Sequence, residues 1–214
     1  MAKIGISVTG LIQVDRALHA YACERGGMLI PPGQFGGKAS IGHTYPGANG
    51  GRGREYTAEL YEESKCELFE NGKLFQYARQ PVPGAVNMVQ MLKANGHDVV
   101  PVVNFRATSE PYVLSWWRQN NFPKDIRLEF VRNSGRTVLS HLEECDVVVD
   151  TKVSHLYQLR GRKGVLLVFL LPEPGGIGCD VIKPAPARKI EIVRGWPQAR
   201  PVIMGHLAAA AIAA

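Results

Sequence analysis

The sequence predicts an α/β fold with a Rossmann-like parallel sheet flanked by helices. Short apolar runs, each long enough for one buried strand, alternate along the chain with segments whose apolar residues recur at helical spacing. Such alternation is typical of right-handed strand–helix–strand units, which place the strands parallel in one sheet. With 45% hydrophobic residues over 214 residues, the chain can bury one sizeable core.

Each predicted element has a local signal. The predicted strands are apolar runs that end at a polar residue or a turn, and they cover residues 3–9, 99–104, 126–131, 146–150 and 165–171. The predicted helices carry apolar residues three or four apart, and they cover residues 13–26, 55–72, 85–94, 110–122 and 136–145. The segment 31–53 is rich in glycine and proline, which is typical of a loop.

Pro101 conflicts with the strand that contains it. Proline has no backbone N–H, so it removes one hydrogen bond from any ladder in which its nitrogen takes part. The strand is therefore predicted either to bulge at Pro101 or to leave one side unpaired there.

Charge and cysteine content limit the classes of function. The chain carries a formal net charge of +6 and a pI near 9.2, but its Lys and Arg residues form no block. Its four cysteines lie far apart without a C-x-x-C pair, which argues against a zinc knuckle or a disulfide framework. We expect a cytoplasmic protein, because the sequence has no signal peptide, transit peptide or transmembrane segment.

Four segments of the sequence follow one another in a recognisable order: SVTG at 7–10, PVPGAVNMVQML at 81–92, VVNFR at 102–106 and VVVDT at 147–151. With them, the chain resembles the haloacid dehalogenase-like superfamily, especially its nucleotidase-type phosphatases, over about residues 3–171. The resemblance implies an α/β domain over 1–171 with a cap-like insert at about 15–80. Residues 172–214 would then form a C-terminal extension.

The resemblance also implies a reaction, and the chain departs from its requirements. In that family the first strand ends in D-x-D-G: one aspartate takes the phosphoryl group, the other transfers a proton, and Mg²⁺ is held by the first carboxylate and the last motif. Here Ser7 and Thr9 stand at the two aspartate positions, and Thr151 replaces the acidic partner of Asp150. No catalytic residue is therefore expected, and no metal site, with Asp150 as the one candidate ligand.

The other two motifs are altered as well. Asn104 stands where a hydroxyl would hold phosphate, and Arg136 is the best candidate for the lysine position. The predicted vestigial pocket thus contains the following residues: Ser7, Thr9, Asn104, Arg136, Asp150 and Thr151. Arg106 and Arg136 are candidates for binding an anion, because guanidinium binds phosphate through two hydrogen bonds.

Three functions fit these residues. The first is a catalytically inactive protein of this superfamily that acts as a binding or structural component, without a cofactor. The second is a phosphatase or 5′-nucleotidase with an atypical active site, which would use Mg²⁺. The third is a nucleotide- or nucleic-acid-binding module that uses the pocket and the basic surface.

A binding or structural role requires contacts outside the pocket. We expect protein partners or further copies of the chain rather than a membrane; the basic charge also permits nucleic acid. The glycine-rich loop and the C-terminal extension contain aromatic and basic residues that we expect to be exposed and available to partners. These candidate contacts are Phe35, His43, Tyr45, Arg52, Arg54, Arg194 and Trp196.

Overall fold

The computed structural model describes residues 1–31, 40–70, 73–104, 109–131, 137–171 and 190–213. Six strands form its main sheet: β1 (Lys3–Ser7), β4 (Asp98–Val103), β5 (Glu129–Phe130), β6 (Val147–Asp150), β7 (Leu166–Leu170) and β8 (Ile190–Val193). Their order across the sheet is β5-β4-β1-β6-β7-β8, and each neighbouring pair is parallel. The predicted Rossmann-like parallel sheet is confirmed.

Helices cover both faces of this sheet. They are α1 (Val14–Gly26), α2 (Ala58–Glu70), α3 (Leu74–Tyr77), α4 (Ala85–Ala94), α5 (Glu110–Gln119), α6 (Val138–Leu142), α7 (Val153–Leu159) and α8 (Trp196–Ala213). A small antiparallel hairpin pairs β2 (Thr44–Tyr45) with β3 (Arg54–Glu55). In the described part of the chain, no helix has the length and apolar character needed to cross a membrane.

Alternate residues of each central strand pack into different halves of the core. Ile4 and Ile6 of β1 lie in the larger cluster, whereas Val148 of β6 lies in a second cluster with Leu142 and Leu156 from the helices α6 and α7. Because both faces are buried, the strand sequences are almost continuously apolar, as expected for a parallel sheet.

The position of Pro101 is explained by hydrogen-bond alternation. The N–H of Asp98 donates to the carbonyl of Ala2 beside β1, so the nitrogens of residues 98, 100 and 102 face β1 and that of Pro101 faces β5. Strand β5 pairs only with Val102 and Val103. The missing N–H of Pro101 therefore lies on the side of β5, one residue before the pairing with β5 begins. Of the two predicted alternatives, an unpaired side at Pro101 is the one that the structure shows.

The segment predicted as a cap-like insert contains α1, the hairpin, α2 and α3. Its helices are joined by a polar network around Glu67 of α2, whose carboxylate accepts hydrogen bonds from Tyr21 and Arg25 of α1. Lys73 Nζ lies 3.4 Å from Oε2 of the same carboxylate. This network ties the two longest helices of the insert together across their exposed side.

The described part of the predicted C-terminal extension belongs to the main sheet. Strand β8 pairs in register with β7, and helix α8 follows it directly. Val193, Trp196 and Ile203 are buried in the larger core cluster. A boundary at residue 171 stays a prediction, but residues 190–207 contribute to the same core as the rest of the chain.

Replacement of Gly5 by alanine should destabilise the fold. An added Cβ would lie 2.8 Å from Cys145 Sγ and 2.8 Å from Leu142 Cδ2, and both neighbours are fully buried. We expect Gly5→Ala to lower the free energy of unfolding by roughly 1–3 kcal/mol in urea titrations, because a packed core tolerates extra volume poorly. Gly161→Ala is the control, since nothing lies within 4 Å of its added Cβ; equal losses in the two variants would contradict this packing.

Acid should loosen the insert through Glu67. Hydrogen bonds from Tyr21 and Arg25 lower the pKa of Glu67 from its usual 4.5 to about 2. The stability that this carboxylate provides is therefore complete above about pH 4.5 and is lost as the pH falls toward 2. Urea midpoints measured between those limits should fall less steeply in Glu67→Gln than in the wild type. Glu62→Gln, on the same helix but with its charge largely exposed, should keep the wild-type slope.

Candidate functional site

The strand order reverses between β1 and β6, and the region beyond the ends of these two strands is called the crevice below. From β1 the chain proceeds to β4 and β5 on one side, and it then returns to build β6, β7 and β8 on the other. In open parallel sheets, ligands bind beyond the carboxyl ends of the two strands at which the order reverses. The last residues of β1 and β6 are therefore the candidate site.

The register of these two strands sets Ser7 beside Asp150. Ile4, Gly5 and Ile6 pair with Val147, Val148 and Val149, and the next pair in this series is Ser7 with Asp150. Both side chains project to the same face of the sheet as Gly5 and Val148, because side chains alternate along a strand. This face is covered by α6 and α7.

Three hydroxyl groups form a chain across the mouth of the crevice. Ser7 Oγ lies 2.9 Å from Thr9 Oγ1, which in turn lies 2.7 Å from Thr151 Oγ1. Three hydroxyls hold three protons and these two hydrogen bonds use two of them, so the third O–H can donate to a further acceptor. These three hydroxyl groups are uncharged, and they occupy the positions at which the resemblance implies carboxylates.

Asp150 is the carboxylate of this site, and its two oxygens are already engaged. Its side chain is 1% exposed. Oδ1 accepts the backbone N–H of Lys152 at 2.9 Å, and Oδ2 lies 2.8 Å from His155 Nδ1. A buried carboxylate needs such partners, because without them its charge would be left desolvated.

His155 is the residue that the sequence reasoning did not identify. It lies in the first turn of α7, five residues after Asp150, and its side chain is 16% exposed. The residue order alone does not indicate the contact, because the turn of residues 151 and 152 must first bring the helix back over the end of β6. A histidine in the first helical turn after an aspartate at a strand end is the available signal.

The other predicted pocket residues fall into two groups. Asn104 follows β4 at the same edge of the sheet and is exposed. Arg106 and Arg136 lie outside the described residues, as does Phe35. The structure therefore brings together Ser7, Thr9, Asp150 and Thr151 of the predicted set.

The predicted partner contacts differ in exposure. His43, Arg52, Arg54 and Arg194 are exposed. The expectation that Tyr45 and Trp196 are exposed is wrong, because their side chains are 4% and 1% exposed and belong to the core. Tyr45 lies in the glycine-rich segment and Trp196 in the predicted extension, but both aromatic rings pack inward because burial of so much apolar surface is favourable.

The residues of the crevice do not fit Mg²⁺. This ion requires hard and usually anionic oxygen ligands in octahedral geometry. Ser7, Thr9 and Thr151 present neutral hydroxyls that bind one another, and both oxygens of Asp150 are engaged by His155 and Lys152. Among the described residues, no three His, Cys, Asp or Glu side chains are grouped closely enough to hold a metal ion.

Solved structures share this architecture over nearly the whole chain. An L-2-haloacid dehalogenase superposes with a TM-score of 0.50 at 15% identity, covering 89% of this chain and 94% of its own. A defluorinating L-2-haloacid dehalogenase superposes with a TM-score of 0.50 at 12% identity, covering 93% of each chain. The chain has the haloacid dehalogenase-like fold.

Comparison of the sequence alone does not detect this similarity. No protein-family model and no curated protein matches the sequence. At identities of 12% and 15%, the haloacid dehalogenase-like fold is what the comparison establishes. The nucleotidase-type branch stays a prediction.

The pairing of His155 with Asp150 should be measurable as a coupling energy. His155→Ala leaves the buried carboxylate with one partner, which we expect to lower the free energy of unfolding by about 1–3 kcal/mol. Asp150→Asn removes the charge, so His155→Ala should cost less in that background. Urea titrations of the wild type, both single variants and the double variant give the coupling energy. Additive losses would contradict a direct interaction between the two side chains.

Proposed function

We propose that this protein is a catalytically inactive member of the haloacid dehalogenase-like group that works as a binding or structural component. The proposal rests on one observation: the hydroxyl chain of Ser7, Thr9 and Thr151 occupies the end of β1 and the adjoining end of β6. An aspartyl intermediate cannot form at a serine or a threonine. The crevice therefore lacks the nucleophile and the proton donor of aspartate-based phosphoryl transfer.

The electrostatics of the crevice support the same proposal. Phosphoryl transfer develops negative charge that must be neutralised, usually by a metal ion and cationic side chains. Among the residues that the structure describes, the crevice contains neutral hydroxyls and one carboxylate that is already paired with His155. Its groups are suited to hold a polar ligand through hydrogen bonds rather than to bind a divalent cation.

The proposed partners are proteins or further copies of this chain. Four basic side chains in two segments are exposed: His43, Arg52 and Arg54 in and beside the hairpin, and Arg194 just before α8. Charges of one sign on an exposed surface attract partners of the opposite sign and raise association rates. We therefore propose an acidic protein surface as the partner, in keeping with the net charge of +6.

One observation favours a second function, a hydrolase with an atypical site. Asp150 holds the imidazole of His155 by its Nδ1 atom, an arrangement that orients the other ring nitrogen toward a substrate in many hydrolases. If the protein hydrolyses phosphate monoesters, we expect His155 to act as the general base without a metal ion. The binding role predicts no turnover of such substrates, whereas the hydrolase predicts turnover without a metal ion.

The decisive experiment measures turnover of p-nitrophenyl phosphate, deoxynucleoside monophosphates and L-2-chloropropionate, each with Mg²⁺ and with EDTA. We expect no turnover above that of a Ser7→Ala/His155→Ala double variant, because no group can form the covalent intermediate. EDTA-resistant turnover that disappears in His155→Ala would favour the hydrolase. Turnover that requires Mg²⁺ would contradict both proposals.

Introducing carboxylates at the three hydroxyl positions tests whether their absence prevents Mg²⁺ binding. Restoring carboxylates with Ser7→Asp, Thr9→Asp and Thr151→Asp should create an Mg²⁺ site, whereas the same three changes to Asn should not. Binding at a metal concentration tenfold above Kd would raise the free energy of unfolding by about 1.4 kcal/mol. We expect an Mg²⁺-dependent rise in Tm in the Asp variant and no rise in the wild type or the Asn variant.

A further inference from the structure

The indole of Trp196 joins the C-terminal helix to the loop at residues 8–12, which follows β1 and begins with the 3₁₀ turn Val8–Gly10. Trp196 is the first residue of α8, and its side chain is 1% exposed. Its Nε1–H donates to the carbonyl oxygen of Gly10 at 2.8 Å, across a sequence separation of 186 residues. Gly10 directly follows Thr9, the central member of the hydroxyl chain.

The same loop is held on its other side by the turn before α4. The carbonyl of Leu11 accepts the N–H of Val82 at 2.8 Å, and the Gln13 side chain donates to the carbonyl of Pro81 at 2.9 Å. Trp196 also touches this turn, because a Cβ added at Gly84 would lie 3.2 Å from the Cβ of Trp196. Gly84 has a φ of +84°, which glycine adopts without strain.

The geometry of Thr9 makes the crevice sensitive to this contact. Its hydroxyl bridges Ser7 and Thr151 at 2.9 Å and 2.7 Å, so it must stay between the last residue of β1 and the residue that follows β6. A displacement of the loop by about 1 Å would lengthen one of these distances beyond hydrogen-bond range. The carbonyl of the next residue is the atom that Trp196 fixes.

We propose that Trp196 is a positioning residue that couples helix α8 to the crevice. When α8 is seated, the indole holds the loop at residues 8–12 and the hydroxyl chain is closed. When α8 is displaced, the loop loses this bond and the chain of Ser7, Thr9 and Thr151 opens. The coupling goes beyond the proposed binding role: it gives α8 control of the crevice, whether or not the crevice is catalytic.

The competing explanation is that Trp196 only fills the core. Trp196→Phe separates the two, because phenylalanine keeps an aromatic ring in the core but has no N–H donor. Trp117→Phe is a matched control: Trp117 is 3% exposed, and its Nε1 donates to the carbonyl of Pro123 at 2.9 Å, away from the crevice. Both variants lose one indole hydrogen bond and similar volume.

The experiment follows the methyl NMR signals of Thr9 and Thr151 and amide hydrogen exchange at Leu11 and Val82. We expect Trp196→Phe to shift or broaden both methyl signals and to speed exchange at both amides about tenfold, the equivalent of one lost buried hydrogen bond. Trp117→Phe should leave all four signals as in the wild type. Unchanged signals in Trp196→Phe, or equal changes in both variants, would overturn the proposal.

Hydrogen exchange in the wild-type protein gives a test that needs no variant. If the indole and the loop open together, the indole N–H of Trp196 and the amides of Leu11 and Val82 share one opening free energy and one denaturant dependence. The opening free energy measured at the indole N–H of Trp117 should differ from this value. An indole of Trp196 that exchanges independently of the two amides would refute the coupling. The turnover assays have no bearing on this result, so either proposal can fail without the other.

Discussion

The in-register pairing of β1 with β6 is the constraint on which the rest of the molecule depends. It sets Ser7 beside Asp150 at one end of the sheet, and it brings Gly5 beneath α6, where Cys145 and Leu142 leave no room for a side chain. It also creates the reversal of strand order at which parallel sheets bind ligands. A change of register by one residue would turn Ser7 and its neighbours to the opposite face.

The crevice that this pairing creates differs in charge from the one that the resemblance implies. Hydroxyl groups stand at residues 7, 9 and 151, where the resemblance implies carboxylates, and they are joined by two hydrogen bonds. The remaining carboxylate would be costly to bury alone, and His155 together with the backbone of Lys152 compensates it. The result is a polar site whose described groups hydrogen-bond with one another, and the proposed binding role rests on this arrangement.

The C-terminal segment has a larger part in the structure than its composition suggests. Strand β8 extends the sheet, and Trp196 fills the core beneath the loop that follows β1. The first and last regions of the chain therefore meet beside the crevice, where the indole of Trp196 donates to the carbonyl of Gly10. The proposed coupling of α8 to the end of the first strand rests on this contact.

The sequence by itself determined the fold class, most element positions and the presence of hydroxyl side chains after the first strand, because these follow from local periodicity and from residue identity at strand ends. Strand β5 and helix α6 are shorter than predicted, since pairing and capping rather than apolar pattern set their ends. Only the tertiary structure decided that His155 pairs with Asp150, that Pro101 turns its missing N–H away from β1, and that Trp196 is buried. Each of these depends on contacts between segments that are distant in sequence or separated by a turn, and the packing that selects such contacts leaves no periodic signal in the chain.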